Sequence, residues 1–168
     1  MSSIKKESLT RLGYDFLPEA YIPTGQDEYY LRNEQQPRQR RYRSLTSAEI
    51  QVLKANNNFS SNWGDVWVTE KFIPEQIHHS KFFGFVRIGD MEDIYLEYRE
   101  LRLASGIYNS QVISCDLGDF VALHHVRYIS HYIVGDEVML ANISEMETSN
   151  NAKFGNGILK EGDDEGRR

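Results

Sequence analysis

The 168-residue sequence predicts a mainly β protein whose second half is a short parallel β-helix with three flat faces. Three observations predict this fold. A Gly-Asp pair recurs at Gly89-Asp90, Gly118-Asp119 and Gly135-Asp136. A shift of 17 residues superimposes residues 117–123 on residues 134–140. Aliphatic or methionine side chains also recur in steps of five or six, at positions 112, 117, 123, 129, 134, 140 and 146.

Steps of five or six that add to 17 fit neither a helix nor a simple alternating strand, but they fit a coil with three faces. Each face is a short strand with one side chain pointing inward, and successive coils stack as parallel strands. We expect Gly118 and Gly135 to form corners, because glycine reaches positive φ without penalty. Residues 106–158 leave room for about three coils. An antiparallel sandwich is disfavoured, because the Asn-Gly turn signal occurs once, at Asn156-Gly157.

Four regions follow in order along the chain. Residues 1–43 read as an extended N-terminal arm, since they contain few apolar clusters, and Tyr29-Tyr30-Leu31 is the segment expected to dock it. Residues 44–82 read as a small helix-and-strand cap, which opens with a capping box from Thr46 to Glu49. Residues 83–159 form the β-helix. Residues 160–168 are a charged tail, interpreted as a truncated continuation.

Composition excludes several classes of protein. The net charge of −6 and the pI of 5.4 argue against a dedicated nucleic-acid binder, which is normally basic. The sequence has neither an apolar run long enough to span a membrane nor a signal peptide, so we expect a cytoplasmic protein without membrane attachment. The basic run from Arg38 to Arg43 is either a phosphate or nucleic-acid patch, or a linker whose arginines pair with the acidic body; the second interpretation is favoured.

The Gly-Asp repeats resemble the left-handed parallel β-helix of hexapeptide-repeat acyltransferases and of sugar-nucleotide pyrophosphorylase C-terminal domains. Over roughly residues 40–165 the sequence resembles an uncharacterised bacterial family labelled UDP-N-acetylglucosamine pyrophosphorylase-related. The strings that carry this resemblance include Phe85-Val86-Arg87-Ile88-Gly89, Gly106-Ile107-Tyr108-Asn109-Ser110 and His124-His125-Val126-Arg127-Tyr128. The resemblance implies a left-handed coil and a transferase-like function, with an acyl-coenzyme A or a UDP-sugar as ligand.

That resemblance also implies further coils beyond this chain. An uncapped coil end exposes unpaired strand edges. We therefore expect self-association, or a missing C-terminal part, to cover it.

Candidate chemistry rests on the histidines of the repeats. Hexapeptide-class acetyltransferases use a histidine general base, so the resemblance implies that role for His125 or His131. Both residues follow an inward position by two, which predicts that they project outward on adjacent faces. Asn109, Arg127 and Asn142 are the candidate substrate-binding residues. The alternative is that these side chains form outward polar ladders that hydrogen-bond from coil to coil.

Other chemistry has less support. No Gly-rich loop follows a strand, so this chain does not carry the nucleotidyl transfer that the family label implies. A zinc site is not predicted, although three histidines lie in the repeats. Asp119 and Asp136 are expected to accept local amides, Asp116 has no evident partner, and Cys115 is expected to be buried and inert. An aromatic group either lines a sugar-stacking surface or covers a sheet face; it consists of Tyr95, Tyr98, Tyr108, Tyr128 and Tyr132. A non-catalytic scaffold or oligomerisation module is the competing hypothesis, and catalysis is undecided.

Overall fold

The computed structural model describes residues 3–36 and 38–150, so the Asn156-Gly157 pair and the charged tail 160–168 lie outside the described residues. The predicted mainly β class is confirmed. The described residues contain the α-helices α1 (Glu28–Gln35) and α2 (Ser47–Ala55). The strands in this part of the chain are β1 (Arg43–Ser44), β2 (Phe59–Ser60), β3 (Val66–Val68), β4 (Ile77–His78), β5 (Lys81–Phe83), β6 (Val86–Ile88), β7 (Tyr95–Tyr98), β8 (Leu101–Ala104), β9 (Gly106–Tyr108), β10 (Gln111–Ile113), β11 (Asp116–Leu117), β12 (Ala122–Val126), β13 (Ile129–Ser130), β14 (Ile133–Val134) and β15 (Met139–Ile143).

Three separate sheets contain all strands except the β7–β8 hairpin. Sheet I has the order β1-β3-β6-β11-β14, sheet II the order β13-β10-β5-β2, and sheet III the order β15-β12-β9-β4. Neighbouring strands in these sheets are parallel, apart from β1 against β3. The chain visits sheets II, I and III in rotation, so that β2, β3 and β4 make one circuit and β13, β14 and β15 make the fourth.

The first circuit lies within residues 44–82, which the sequence predicts to be a cap. That segment does contain α2, and the predicted capping box is confirmed because Thr46 and Glu49 exchange hydrogen bonds with each other's backbone amides. It also supplies one strand to each parallel sheet, and the expected boundary at residue 83 falls inside β5. The pairing of Val66 with Val86 and of Ile77 with Ile107 ties this segment directly to the following circuits.

Aliphatic ladders between the sheets form the core. Val112 pairs with Ile129, which bridges to Met146, while Leu117 pairs with Val134 and Leu123 with Leu140. These pairs reproduce the 17-residue shift read from the sequence. Buried aliphatic side chains of this size contribute about 1.5–3 kcal/mol each. The repeat therefore accounts for both the register and the main source of stability.

The expected reason for the repeat glycines is wrong. Positive φ occurs not at Gly118 or Gly135 but two residues later, at Phe120 (55°) and Glu137 (55°). The glycines are needed because the backbone of the next circuit lies against them. A Cβ on Gly89 would lie 2.7 Å from the carbonyl oxygen of Gly118, and a Cβ on Gly118 would lie closer still to that of Gly135.

Left-handed backbone conformations mark the corners between sheets. From residue 109 onward they recur every five or six residues, at Asn109, Ser114, Phe120, His125, His131, Glu137 and Asn142. Few non-glycine residues adopt this conformation, and asparagine and histidine are among those that tolerate it best. The corners therefore explain part of the residue choice at the predicted site positions.

The N-terminal arm is not extended throughout, because it contains α1, and Arg32 of that helix binds Asp116 in sheet I. Helix α1 is capped at its N-terminus by Asp27, whose carboxylate accepts the Tyr30 amide at 2.9 Å. The predicted docking segment makes contact through Tyr29, whose ring lies 4.3 Å from that of Phe85. No helix in the described part of the chain is long and apolar enough to cross a membrane.

Candidate functional site

Four of the five predicted site residues meet at the corner between sheets III and II. The register that pairs His124 with Tyr108 and with Ala141 places the following residues, Asn109, His125 and Asn142, above one another. All three have positive φ, between 50° and 56°. They line a groove of about 320 Å³ whose full set of lining residues is Asn109, His125, Arg127, Asn142 and Ser144. We call it the corner groove.

The polar side chains of the corner groove have no bonding partner among the described residues. Within residues 3–36 and 38–150, the side chains of Asn109, His125, Arg127 and Asn142 form no hydrogen bond or ion pair, and all four residues are exposed. The alternative of coil-to-coil hydrogen bonds between these side chains is therefore wrong for the described structure. An arginine, an imidazole and two amides present donors and acceptors to solvent. Such a set suits an anionic or hydroxyl-bearing ligand.

His131 lies at a different corner, between sheets II and I, in a column with Gly84 and Ser114. The arm covers this corner: the Phe16 ring stacks on the His131 ring at 3.6 Å, and the Ser114 hydroxyl donates to the Gly13 carbonyl. Burial, and then the charge of Arg32, lower the pKa of His131 from 6.5 to about 4. The structure thus separates His131 from His125 and holds it neutral at pH 7.

A small cavity of about 110 Å³ remains beneath the arm. Its lining combines aromatic and aliphatic side chains with a few polar ones: Phe16, Leu17, Glu28, Arg32, Gln35, Ser114, His131, Tyr132 and Ile133. Arg32 is already bound to Asp116 there. The cavity is smaller than the corner groove, and its arginine is already paired with a carboxylate. The corner groove is therefore the better candidate for a ligand site.

Asp116, for which the sequence shows no partner, accepts more side-chain hydrogen bonds than any other carboxylate of the described residues. Arg87 holds it with two parallel bonds of 2.7 Å, Arg32 approaches to 2.5 Å, and Gln36 donates at 2.8 Å. Burial would raise the pKa of Asp116, but the hydrogen bond from Arg87 and the charge of Arg32 lower it. The signal that points to such pairing is an acidic residue in an otherwise buried strand.

The arginine run pairs with the acidic body, as the favoured interpretation predicts. Arg38 and Arg40 both contact Asp119 and Asp136, and Arg43 bonds Glu49 at 2.8 Å. These bonds engage three of the four arginines. A phosphate patch at this position would have to displace them.

The two aspartates also accept amides, but across circuits. Asp119 accepts the Asp90 amide at 2.9 Å, and Asp136 accepts the Asp119 amide at 2.7 Å. Each carboxylate therefore ties its own circuit to the preceding one, whereas the sequence predicts bonds to local amides.

The remaining chemical candidates are structural. Cys115 is buried as predicted, and burial raises the pKa of its thiol to about 11. Tyr108 is sandwiched between His78 and His124, whereas Tyr95 and Tyr98 are exposed on the hairpin. Across the described ranges, no three His, Cys, Asp or Glu side chains group as metal ligands.

Comparison with known proteins gives a family without an assigned activity. The chain is similar to an uncharacterised protein of Treponema pallidum (strain Nichols), with 44% identity over 161 residues. The match covers 95% of this chain and 22% of that protein, so the chain spans about a fifth of the relative's length. No solved structure matches the chain. A family model matches residues 42–167, and the chain belongs to that family, described as domain of unknown function DUF4954.

Proposed function

We propose that this chain is a left-handed parallel β-helix and acts as a hexapeptide-repeat transferase-like module related to UDP-N-acetylglucosamine metabolism. Support for the fold comes from four circuits through three parallel sheets and from left-handed residues at the corners. Short strands with a positive-φ residue between them let the chain turn sharply while keeping parallel register. The proposed ligand is an acyl-coenzyme A or a UDP-sugar, and the proposed location is the cytoplasm.

The corner groove supplies the proposed chemistry. His125 would accept the proton from an acceptor hydroxyl or amine as that oxygen or nitrogen attacks the thioester carbonyl. The carbon–sulfur bond then breaks, and the coenzyme A thiolate takes the proton from the imidazolium. Arg127 would hold a phosphate of the donor, while Asn109 and Asn142 offer amides to the acceptor.

One observation carries this proposal: side chains from three successive circuits converge in the corner groove and stay free of partners among the described residues. By contrast, arginines bind the buried carboxylates of Asp116 and Asp119. His131 is not assigned a role, because Phe16 covers its ring.

The test is ligand binding and turnover by the full chain with acetyl-coenzyme A and with UDP-N-acetylglucosamine. We expect His125→Asn to abolish turnover, because asparagine accepts the left-handed backbone but cannot serve as the base. His79→Asn is the matched control, since His79 also has positive φ (51°) and is exposed but does not line the corner groove. No thermal shift with either ligand, or equal loss in both variants, would contradict the proposal.

A scaffold is the second candidate function, and one observation favours it. Strands β14 and β15 each form the outer edge of a sheet, with no described strand paired beyond them, whereas Met146 bridges to Ile129 at the edge of β13. Unpaired parallel edges are templates for another chain or for a further segment. Sedimentation of the full chain tests this, since self-association without ligand binding supports a scaffold over a transferase.

A further inference from the structure

A column of stacked rings runs along the outer surface of sheet III. His78 pairs with Tyr108, and Tyr108 with His124, in consecutive circuits. The first two rings stack with centroids 5.6 Å apart at 8°, and the second two lie 4.6 Å apart at 40°. The His124 Nε2–H donates to the Ala104 carbonyl at 2.8 Å, which fixes the orientation of its ring.

The column stops one circuit short of the described edge. Ala141 pairs with His124 at the next level, and a methyl group replaces the ring found in the other three circuits. Among the described residues no ring stacks on the second face of His124. Parallel strands are spaced by about 4.8 Å, close to the separation of stacked rings, so one flat ring fits above Ala141.

This open ring position adjoins the corner groove. His125 and Asn142 directly follow His124 and Ala141, and Arg127 lies in the same groove. Arg127 has no carboxylate partner within residues 3–36 and 38–150, although the body of the protein is strongly acidic. A ligand that spans both positions therefore needs a flat ring at one end and an anion at the other.

We infer that the site binds a nucleotide, with its base stacked on His124 above Ala141 and its phosphate on Arg127. This inference rests on the proposed function, because it names the ligand class of the same groove. An acyl-coenzyme A and a UDP-sugar both carry a base joined to phosphate, so the base decides between them. Base stacking on an aromatic platform is tolerant of base type, whereas phosphate binding needs the arginine.

The experiment compares AMP, UMP and ribose 5-phosphate by calorimetry with the full chain. We expect the nucleotides to bind about tenfold more tightly than ribose 5-phosphate, since stacking contributes that much per base. Ala141→Phe fills the ring position and should remove this difference while leaving ribose 5-phosphate binding intact. Ala55→Phe, at the exposed end of α2, is the control and should change neither.

Each outcome has a separate meaning. Equal affinity for all three ligands, or an undiminished nucleotide preference in Ala141→Phe, overturns the inference. Ribose 5-phosphate binding that Arg127→Gln removes, without any contribution from the base, overturns the base position but leaves the proposed groove intact. Absence of binding by all three ligands contradicts both. If Ala141→Phe does not fold, His124→Ala removes the platform and must abolish the preference. Tighter binding of AMP than of UMP indicates an acyl-coenzyme A as the ligand, and tighter binding of UMP indicates a UDP-sugar.

Discussion

His125 and His131 both sit at a corner between sheets, with φ of 56° and 60°, yet their surroundings are opposite. His131 lies under the arm, stacked on Phe16, with its pKa lowered to about 4. His125 is exposed, with neighbours that bind nothing in the described chain. The backbone alone therefore does not decide the role of a corner residue. The path of the arm separates a structural histidine from one available for chemistry.

The largest expected effect on stability concerns the buried ion pair beneath the arm. Asp116→Ala leaves the buried Arg87 without its carboxylate, which should lower the free energy of unfolding by about 3–5 kcal/mol. Urea denaturation measures it. Asp136→Ala is the matched control, because that carboxylate is 38% exposed and its partners Arg38 and Arg40 keep Asp119 as a second carboxylate. Equal losses in the two variants would show that the arm is not held by a buried ion pair.

A pair of glycine substitutions compares the third circuit, which the fourth circuit covers, with the fourth circuit itself. Gly118→Ala forces a methyl against the Gly135 backbone and should cost about 1–3 kcal/mol. Gly135→Ala should be nearly neutral, because no atom of the described residues lies within 4 Å of its Cβ position. Thermal unfolding of both variants gives the comparison. A large loss in Gly135→Ala would mean that further chain covers this edge.

Low pH should destabilise the corner beneath the arm, because protonation of His131 is disfavoured in the folded protein. The unfolded state binds its proton near pH 6.5 and the folded state only near pH 4, so stability falls as pH drops between these values. The effect is on the order of 1 kcal/mol, since the ring is not fully shielded from solvent. His131→Phe should remove this contribution from a pH series of unfolding curves, while His125→Asn should retain it. An unchanged pH series in His131→Phe would contradict the assignment.

The smallest expected effect on stability concerns the corner groove. Arg127→Gln should change stability by no more than about 0.5 kcal/mol, because the side chain has no described partner. Its effect should appear in ligand binding instead. Calorimetric unfolding without ligand provides the measurement, and a loss above 1 kcal/mol would mean that Arg127 is structural.

The repeat predicts which side chains pair in the core, but it does not predict whether each site residue is exposed or covered. The 17-residue shift predicts the Val112–Ile129 and Leu123–Leu140 pairs, because inward side chains in a repeated coil must stack. The sequence does not distinguish a glycine that is needed for a positive φ from one that is needed for a close backbone approach, and at Gly118 the close approach applies.

Long-range contacts account for the other differences. Arg32 reaches Asp116 across 84 residues, and no local pattern encodes that pairing. The same path of the arm buries His131, so exposure of the two histidines could not be distinguished from their spacing. The grouping of Asn109, His125, Arg127 and Asn142, by contrast, follows from the repeat itself.

The β7–β8 hairpin shows how the architecture accommodates new sequence. Gly89 and Gly118 are 29 residues apart, whereas Gly118 and Gly135 are 17 apart, and the hairpin lies within the longer interval. The chain nevertheless rejoins sheet III in register, with Ile107 paired to Ile77 and to Leu123. Evolution can therefore lengthen a corner without disturbing the ladders on either side. For the protein engineer, the tip at Arg99 and Glu100 is a permissive place to insert a tag or a binding peptide.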